Sequence, residues 1–441
     1  MAVGSQQANV ELLAALTGLT HDIFVGDVQN NVIRESKVAS IMQDAGPGDF
    51  KFAGQNTVFA VELDFKTGGI ASLGMIPDYV PLDAVQGKVQ PKRRYAQIAL
   101  DNFIELLASG QGSFEDLGDR IFNTLWDAWK SMTIRHAIGA STGLVAKVSS
   151  RTSSTVVVLK DGYGNAGTNP IQHISKNAVL CWYDVSAAAI GGAAKVSSIA
   201  ASTNTVTLDS ATTWETTVGN AIAADDLIYF ATTNLTTRDR FEAERNNAPN
   251  GLGTILDPAA AATTVFNIAE GDYPRWKPYR KASSTFDHME VTEHWLQLGA
   301  HRGFDVSPQT DVFISHPGPL AQLARSLMAY QQQAYTGAQL KGGYTGVTIG
   351  NMVGVSDSFF YHDVAATLCK EKLYRVVLGG EADFWSGDGS MWSRIEDFDG
   401  RTAFVPEYMN YFSNHRGAHG ALTGIVTPDI VDTDYTSVPN Y

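Results

Sequence analysis

The sequence predicts an α+β fold with an all-β module set into it. Three observations carry that reading. A strictly alternating segment, Asn56 to Phe65, leads through a returning limb into a long amphipathic helix that begins near Ser113. A block rich in Ser, Thr, Ala, Gly and Val, from Leu144 to about Thr233, shows almost no helical period and contains an internal repeat. A mixed pattern of strands and helices then resumes at Asn234.

In the first segment, NTVFAVELDF, Val61, Leu63 and Phe65 share one face and Glu62 and Asp64 the other, as in a strand buried on one side. Lys66-Thr67-Gly68-Gly69 supplies the reversal, because glycine reaches positive φ without steric cost. The return limb, Ile70 to Leu100, is interrupted by Pro77, Pro81 and Pro91, which bars it from the centre of a sheet. An arm this long, with little apolar content, has no evident core of its own and is expected to find its partners on another molecule.

Ser113 is a natural N-cap for the helix that follows, and Glu115 and Asp116 place negative charge against its N-terminus. At 100° per residue, Phe114, Leu117, Ile121, Leu125, Ala128, Trp129 and Met132 fall in one stripe, opposite Asp116, Asp119, Arg120, Asn123, Asp127 and Lys130. Phe122 and Trp126 widen the stripe, so more than one layer packs on it. Gly139 and Gly143 end the helix. This element reads as a structural spine.

Within the β-rich block, Ala146-Lys147-Val148-Ser149-Ser150 recurs as Ala194-Lys195-Val196-Ser197-Ser198. Each copy is followed by a β-branched run, Thr155 to Leu159 and Thr205 to Leu208, which points to two similar hairpins in one small barrel. Asp225 to Phe230 reads as its last strand. Beyond it, Asp311 to Ser315 is a short buried strand. His316-Pro317-Gly318-Pro319 opens a second helix striped by Leu320, Leu323, Ala324 and Leu327. Short strands punctuated by Gly, Asp and Asn fill Gly346 to Val426. The first 45 residues carry one short apolar helix around Val10 to Leu16 and are otherwise polar and extended.

With 441 residues, the chain is expected to form two or three domains. Lys plus Arg number 32 and Asp plus Glu 46, a net charge of −14, which argues against a sequence-reading nucleic-acid protein but suits a wall around a polyanion. The two cysteines, Cys181 and Cys369, are too few for a disulfide framework and match no zinc pattern. The first residues lack the basic and apolar regions of a secretory signal, and no stretch reaches the ~20 apolar residues of a membrane span.

Taken in order, these segments resemble the major capsid proteins of tailed bacteriophages, the HK97-fold family, over nearly the whole chain. The resemblance divides the chain into an N-terminal arm (1–45), an extended E-loop (46–100), a P-domain spine helix region (101–143), an inserted β domain (144–233), a mainly A-domain part (234–393), and returning P-domain strands with a C-terminal tail (394–441). Gly251 to Leu256 and the segment ending NHRGAHGALTGI also have the flavour of the family. It implies a structural protein, not an enzyme, with no cofactor and no metal. Many copies would assemble as hexamers and pentamers of an icosahedral head around double-stranded DNA, held without sequence-specific contacts. The E-loop residues Val61, Leu63, Phe65, Lys66, Gly68 and Gly69 would lie across a neighbouring subunit. Separate scaffolding, portal and decoration proteins are the implied further partners. The location is the virion, assembled in the host bacterial cytoplasm. Some members cross-link an E-loop lysine to a P-domain asparagine, and Lys66 with Asn410 or Asn414 has the residue types for it.

Chemistry of other kinds is weakly signalled. His288, Glu290, Glu293 and His294 match neither HExxH nor HxxEH, so surface-helix or subunit contacts are expected there. No GxSxG, Walker A or GxGxxG pattern occurs. His316 reads as a capping or core histidine. The basic clusters Lys88 to Arg94 and Arg275 to Lys281 are proline-broken, and salt bridges between subunits are expected of them. Two alternatives stay open: an encapsulin-type compartment, and a carbohydrate-binding virion protein using Trp182, Tyr183 and Trp214.

Overall fold

The computed structural model describes residues 36–44, 51–53, 56–62, 84–101, 117–164, 169–209, 222–231, 244–260, 262–283, 286–307, 309–331, 347–349, 352–378, 393–394 and 400–425. Among the described residues, two larger sheets, a closed barrel, a three-stranded arm base and a two-stranded ribbon, Thr264–Val265 with Ile268–Ala269, make up the β structure. The centre of the first sheet is the strand Gly400–Ser413. One edge of it pairs antiparallel with Lys92–Asp101, from Gly400 opposite Asp101 to Met409 opposite Lys92. The other edge pairs with Leu373–Leu378 and, further along, with Ser393–Arg394. Gln43–Asp44 joins Leu373–Leu378 in parallel. Residues 92–100, assigned to the arm on sequence, are therefore part of this sheet, at its edge, with Pro91 just outside the strand.

Helix α1, Lys37–Ile41, lies in the segment expected to be extended. Ser36 Oγ and the Val38 N–H both donate to the Asp357 carboxylate, at 2.5 and 3.1 Å, and Val38 is buried in the main core. The expected helix near Val10 lies outside the described residues.

The spine is α2, Leu117–Ile138. Leu125 and Trp129 pack on Ala403 and Val405 of the long strand, with Ala96, Trp126 and Met132 partly buried beside them. Ala128 is exposed, contrary to its expected place in the stripe; at 100° per residue it falls at the stripe's margin, about 60° from Leu125. Ile134, Ala137 and Ile138 enter the main core, so the helix changes from one-sided to fully buried along its length. It stops at Gly139, whose N–H donates to the Arg135 carbonyl at 2.8 Å. The short helix α3, Leu252–Leu256, starts against that end. A side chain at Gly251 would meet the carbonyl oxygens of Gly139 and His136 at 2.3 Å, so only glycine allows the approach.

The second sheet has six strands in the order Tyr279–Ala282, Gly420–Thr423, Val364–Cys369, Asp311–Ser315, Met352–Ser356 and Val347–Ile349. Helices α4, His288–Arg302, and α5, Pro317–Gln331, accompany it. Pro317 and Pro319 both fall in the first turn of α5, where a missing N–H leaves nothing unpaired. Asp287 caps α4 by accepting from the Glu290 N–H at 2.9 Å. The two sheets share strands from one continuous stretch, with Gly400–Ser413 in the first and Gly420–Thr423 in the second.

The turn between those strands is pinned by buried charge. Arg416 donates to the Ile255 carbonyl at 2.8 Å and to Glu270 at 2.5 Å. Arg302 grips Asp311 with two bonds of 2.8 and 2.7 Å and reaches the Ala418 carbonyl at 3.2 Å.

Residues 146–230 contain a closed barrel in the order Thr205–Leu208, Val156–Lys160, Ala146–Arg151, Leu227–Phe230, Val179–Asp184 and Ala189–Ala200. The two AKVSS copies lie on the first strands of two of its hairpins, 146–151 with 156–160 and 189–200 with 205–208. Closure leaves no free edge, and Val148, Val157, Leu159, Trp182, Val196 and Val206 fill the interior. Tyr163 and His173, hydrogen-bonded to each other, seat the barrel on Tyr361 and Phe359.

Candidate functional site

The alternation of Asn56–Glu62 extends back from Val61 to Phe59 and Thr57, all buried. Phe59 stacks on Phe412 with ring centroids 4.9 Å apart and meets Phe266 edge-on at 6.1 Å. Gly87 lies opposite Phe59 on Ala84–Val89, and a Cβ there would sit 2.3 Å from the ring. The Lys88 N–H donates to the Phe266 carbonyl at 2.9 Å. The base of the arm is thus embedded in the chain's own main core. This corrects the expectation of an arm without a core, which counted Val61, Leu63 and Phe65 and passed over the same period at Phe59. Of the predicted arm residues Val61 is buried here, while Leu63, Phe65, Lys66, Gly68 and Gly69 lie outside the described residues.

Of the spine residues, Leu125 and Trp129 are buried and Met132 is partly so. Leu117 and Ile121 are within α2, and Phe114 lies outside the described residues. Where arm, spine and sheet meet, Arg94 is buried over the Trp129 ring at 4.6 Å. It donates to Thr133 Oγ1 at 2.6 Å and pairs with Glu407 at 3.3 Å. Burial lowers its pKa, and Glu407 opposes that shift. Its neighbour Tyr95 points outward, 52% exposed, edge-on to Tyr408.

Asn410 is buried, its amide nitrogen donating to the Gln90 carbonyl at 2.7 Å and its oxygen accepting from the N–H groups of Asn250 and Tyr411 at 2.7 and 2.8 Å. Asn414 is half-buried, with an amide oxygen that has no partner among the described residues.

Three residues of the two basic clusters depart from the expected pairing between subunits. Arg94, Arg280 and Lys281 are paired within the chain, Arg280 to Asp257 at 3.0 Å and Lys281 to Glu290 and Glu293 at 2.6 and 2.8 Å. They face the acidic side chains that the fold folds back onto them, so a neighbouring subunit is not needed to neutralise them. In the HMEVTEH segment His294 is wholly buried while Glu293 is on the surface, so the four side chains do not converge. Among the described residues no group of three or more His, Cys, Asp or Glu side chains is placed to hold a metal. His316 Nδ1 accepts from the Gly318 N–H at 3.2 Å, a capping role.

Ser413 and His419 lie 2.9 Å apart and are both buried. His419 Nδ1 accepts from the Cys369 N–H at 3.2 Å, so the neutral ring carries its proton on Nε2 and donates to Ser413 Oγ. In that tautomer the ring cannot take the hydroxyl's proton; the pair joins the two sheets.

No family model matches the chain, and no curated protein does. Solved structures do. The chain has the fold of a phage-capsid protein: it is similar to a chain of the Cyanophage A-1(L) capsid asymmetric unit over 92% of its own length and 96% of that chain, with a TM-score of 0.52 and 9% identity. It is also similar to the capsid of the native GTA particle, over 94% and 98% of the two chains with a TM-score of 0.47 and 9% identity. A third likeness is to the holo-SrpI encapsulin complex from Synechococcus elongatus, over 94% and 95% with a TM-score of 0.41 and 7% identity. The HK97-like architecture that the sequence resembles fits this fold. No helix among the described residues is long and apolar enough to cross a membrane.

Proposed function

We propose that this chain is the major capsid protein of a tailed bacteriophage. It assembles as hexamers and pentamers of an icosahedral head that encloses double-stranded DNA without reading its sequence. The observation that carries this reading is the capsid fold shared over 92% of the chain. The rooted arm supports it: two paired strands, Asn56–Glu62 and Ala84–Val89, are held in the core by Phe59 and Val89, a base from which the intervening residues 63–83 can clasp a neighbour. The barrel acts as a module inserted after the spine. Scaffolding, portal and decoration proteins are separate partners, and assembly takes place in the host bacterial cytoplasm. If the shell is cross-linked, Asn414 is the better acceptor for Lys66, because the Asn410 amide is already bonded within its own chain.

Electron microscopy of the purified chain tests the reading: closed shells or capsomers are expected, and monomers at every concentration would overturn it. A protein cargo in place of DNA inside particles from the native source would make it an encapsulin. Replacing residues 63–83 by a short glycine linker should leave a folded subunit that forms no stable shell. Normal shells from that variant would remove the clasp from the account.

A further inference from the structure

A cleft of about 200 Å³ lies where the first sheet, the spine and the root of the barrel meet. The edge strand Lys92–Asp101 lends it Arg94 and Tyr95, α2 lends Met132 and His136, and the last barrel strand lends Phe230. Ala248 and Pro249, just before α3, complete its apolar wall. His136 stands apart from the other side chains of this wall. It is 5% exposed, and neither ring nitrogen has a hydrogen-bond partner among the described residues. Burial, with Arg135, Arg94 and His173 close by, holds its pKa well below the usual 6.5. The ring is therefore neutral at pH 7 and presents one N–H and one lone pair. Buried polar atoms without partners cost stability, so the subunit gains from an occupant that bonds them.

The charge around the cleft is unbalanced. Glu244, which also lines it, is taken up by Arg135 through two bonds of 2.8 and 2.7 Å, and Glu407 by Arg94 at 3.3 Å. Arg93, an exposed lining residue, and Lys92, which donates to the Asn246 carbonyl at 3.3 Å, have no carboxylate paired with them among the described residues. A monoanion thus fits and a cation does not. Size and wall composition narrow the choice. A dry cavity of about 150 Å³ admits benzene, so this cleft holds one ring and a small substituent. Phe230, Tyr95 and the Met132 thioether are surfaces on which an aromatic ring packs well. Water would satisfy His136 but gain nothing from those walls. We propose that the cleft binds a small aromatic carboxylate, its acid group on the His136 N–H and its ring against Met132 and Phe230. The site lies within one subunit, so the proposal does not rest on the shell reading.

Benzoate is the probe. Saturation-transfer NMR on the full-length unassembled chain should show saturable binding, with a Kd of about 1 mM for a ligand this small. Benzylamine has nearly the same shape and the opposite charge, and should bind about tenfold more weakly; benzyl alcohol should fall between them. His136→Leu should weaken benzoate about tenfold by removing the buried donor. Arg93→Gln changes only an exposed side chain, so it keeps the test open if the leucine variant fails to fold. It should weaken benzoate about threefold and leave benzyl alcohol unchanged. No saturable signal up to about 20 mM benzoate overturns the proposal, and that is the result expected of a cleft that holds water alone. Benzylamine binding as well as benzoate overturns the choice of an acid. Benzoate binding that neither variant alters places the ligand elsewhere and overturns the site. None of these results bears on whether the chain forms shells.

Discussion

Acidification should destabilise the isolated subunit, because burial depresses the pKa of six histidines, His136, His173, His294, His316, His415 and His419; His294, His316 and His419 alone give a lower bound on the effect. His294, His316 and His419 are 0%, 4% and 0% exposed. Burial pushes each of them from the usual 6.5 down to about 3. Nearby positive groups add to the shift: Lys281 beside His294, His362 beside His316, and His415, Arg416 and Arg302 around His419. A charged His316 would also lose the Gly318 N–H bond and face the positive end of a helix. The unfolded chain takes up these protons as the pH falls below 6.5, and the folded chain refuses them until about pH 3. The associated stability is therefore complete above pH 6.5 and is lost as the pH falls towards 3. At pH 5.5 the loss is ~1.4 kcal/mol per histidine, or about 4 kcal/mol for three. Asp363 works in the opposite direction: burial lifts it to about 6, and protonation by pH 5.5 relieves an unfavourable buried charge. That returns roughly 1 kcal/mol, so these four groups give a net loss of about 3 kcal/mol against a typical total of 5–15, and His136, His173 and His415, also lowered by burial, add to it. Urea unfolding of the unassembled subunit at pH 7.5 and 5.5, followed by far-UV circular dichroism, measures the difference. His294→Leu should remove about 1.4 kcal/mol of it, since neither ring nitrogen has a partner among the described residues. Equal stabilities at the two pH values, or the full pH dependence in the leucine variant, would refute the reasoning.

Arg416→Met should cost about 3–5 kcal/mol by urea unfolding, because it leaves Glu270 buried with only the more distant Arg280, at 3.6 Å, to balance it. Adding Glu270→Gln should recover part of that loss; a single variant within 1 kcal/mol of wild type would show that the pair is not desolvated. Phe59→Ala should cost about 3–5 kcal/mol and free the arm base, read as faster amide exchange in residues 56–62 and 84–89. Unchanged exchange there would mean that the stack on Phe412 does not anchor the arm.

Local periods were legible in the sequence where they are strong. The spine shows this over Leu125 to Met132, as does the alternation through Val61, because side-chain repeats of 3.6 and 2 are imposed by backbone geometry alone. The repeated AKVSS segments likewise announced two hairpins. The partners of each face were not legible. Nothing local in Arg94, Arg280 or Lys281 distinguishes a pair within the chain from one between chains, and the fold brings Glu407, Asp257 and Glu290 to them from up to 313 positions away. Phe59 was missed for a related reason: its place in the alternation was visible, but its partner Phe412 arrives from the far end of the chain.

The sequence by itself thus determined that an arm leads through an edge strand into a spine helix, that a β-rich block follows, and that the order resembles a capsid protein. The tertiary structure decided that the arm is rooted in its own subunit's core, that 92–101 belongs to the first sheet, and that His136 lines a cleft where sheet, spine and barrel meet. Backbone sterics and side-chain spacing act within a few residues. Burial and pairing depend on which distant segments close around a side chain, and only the folded chain specifies them.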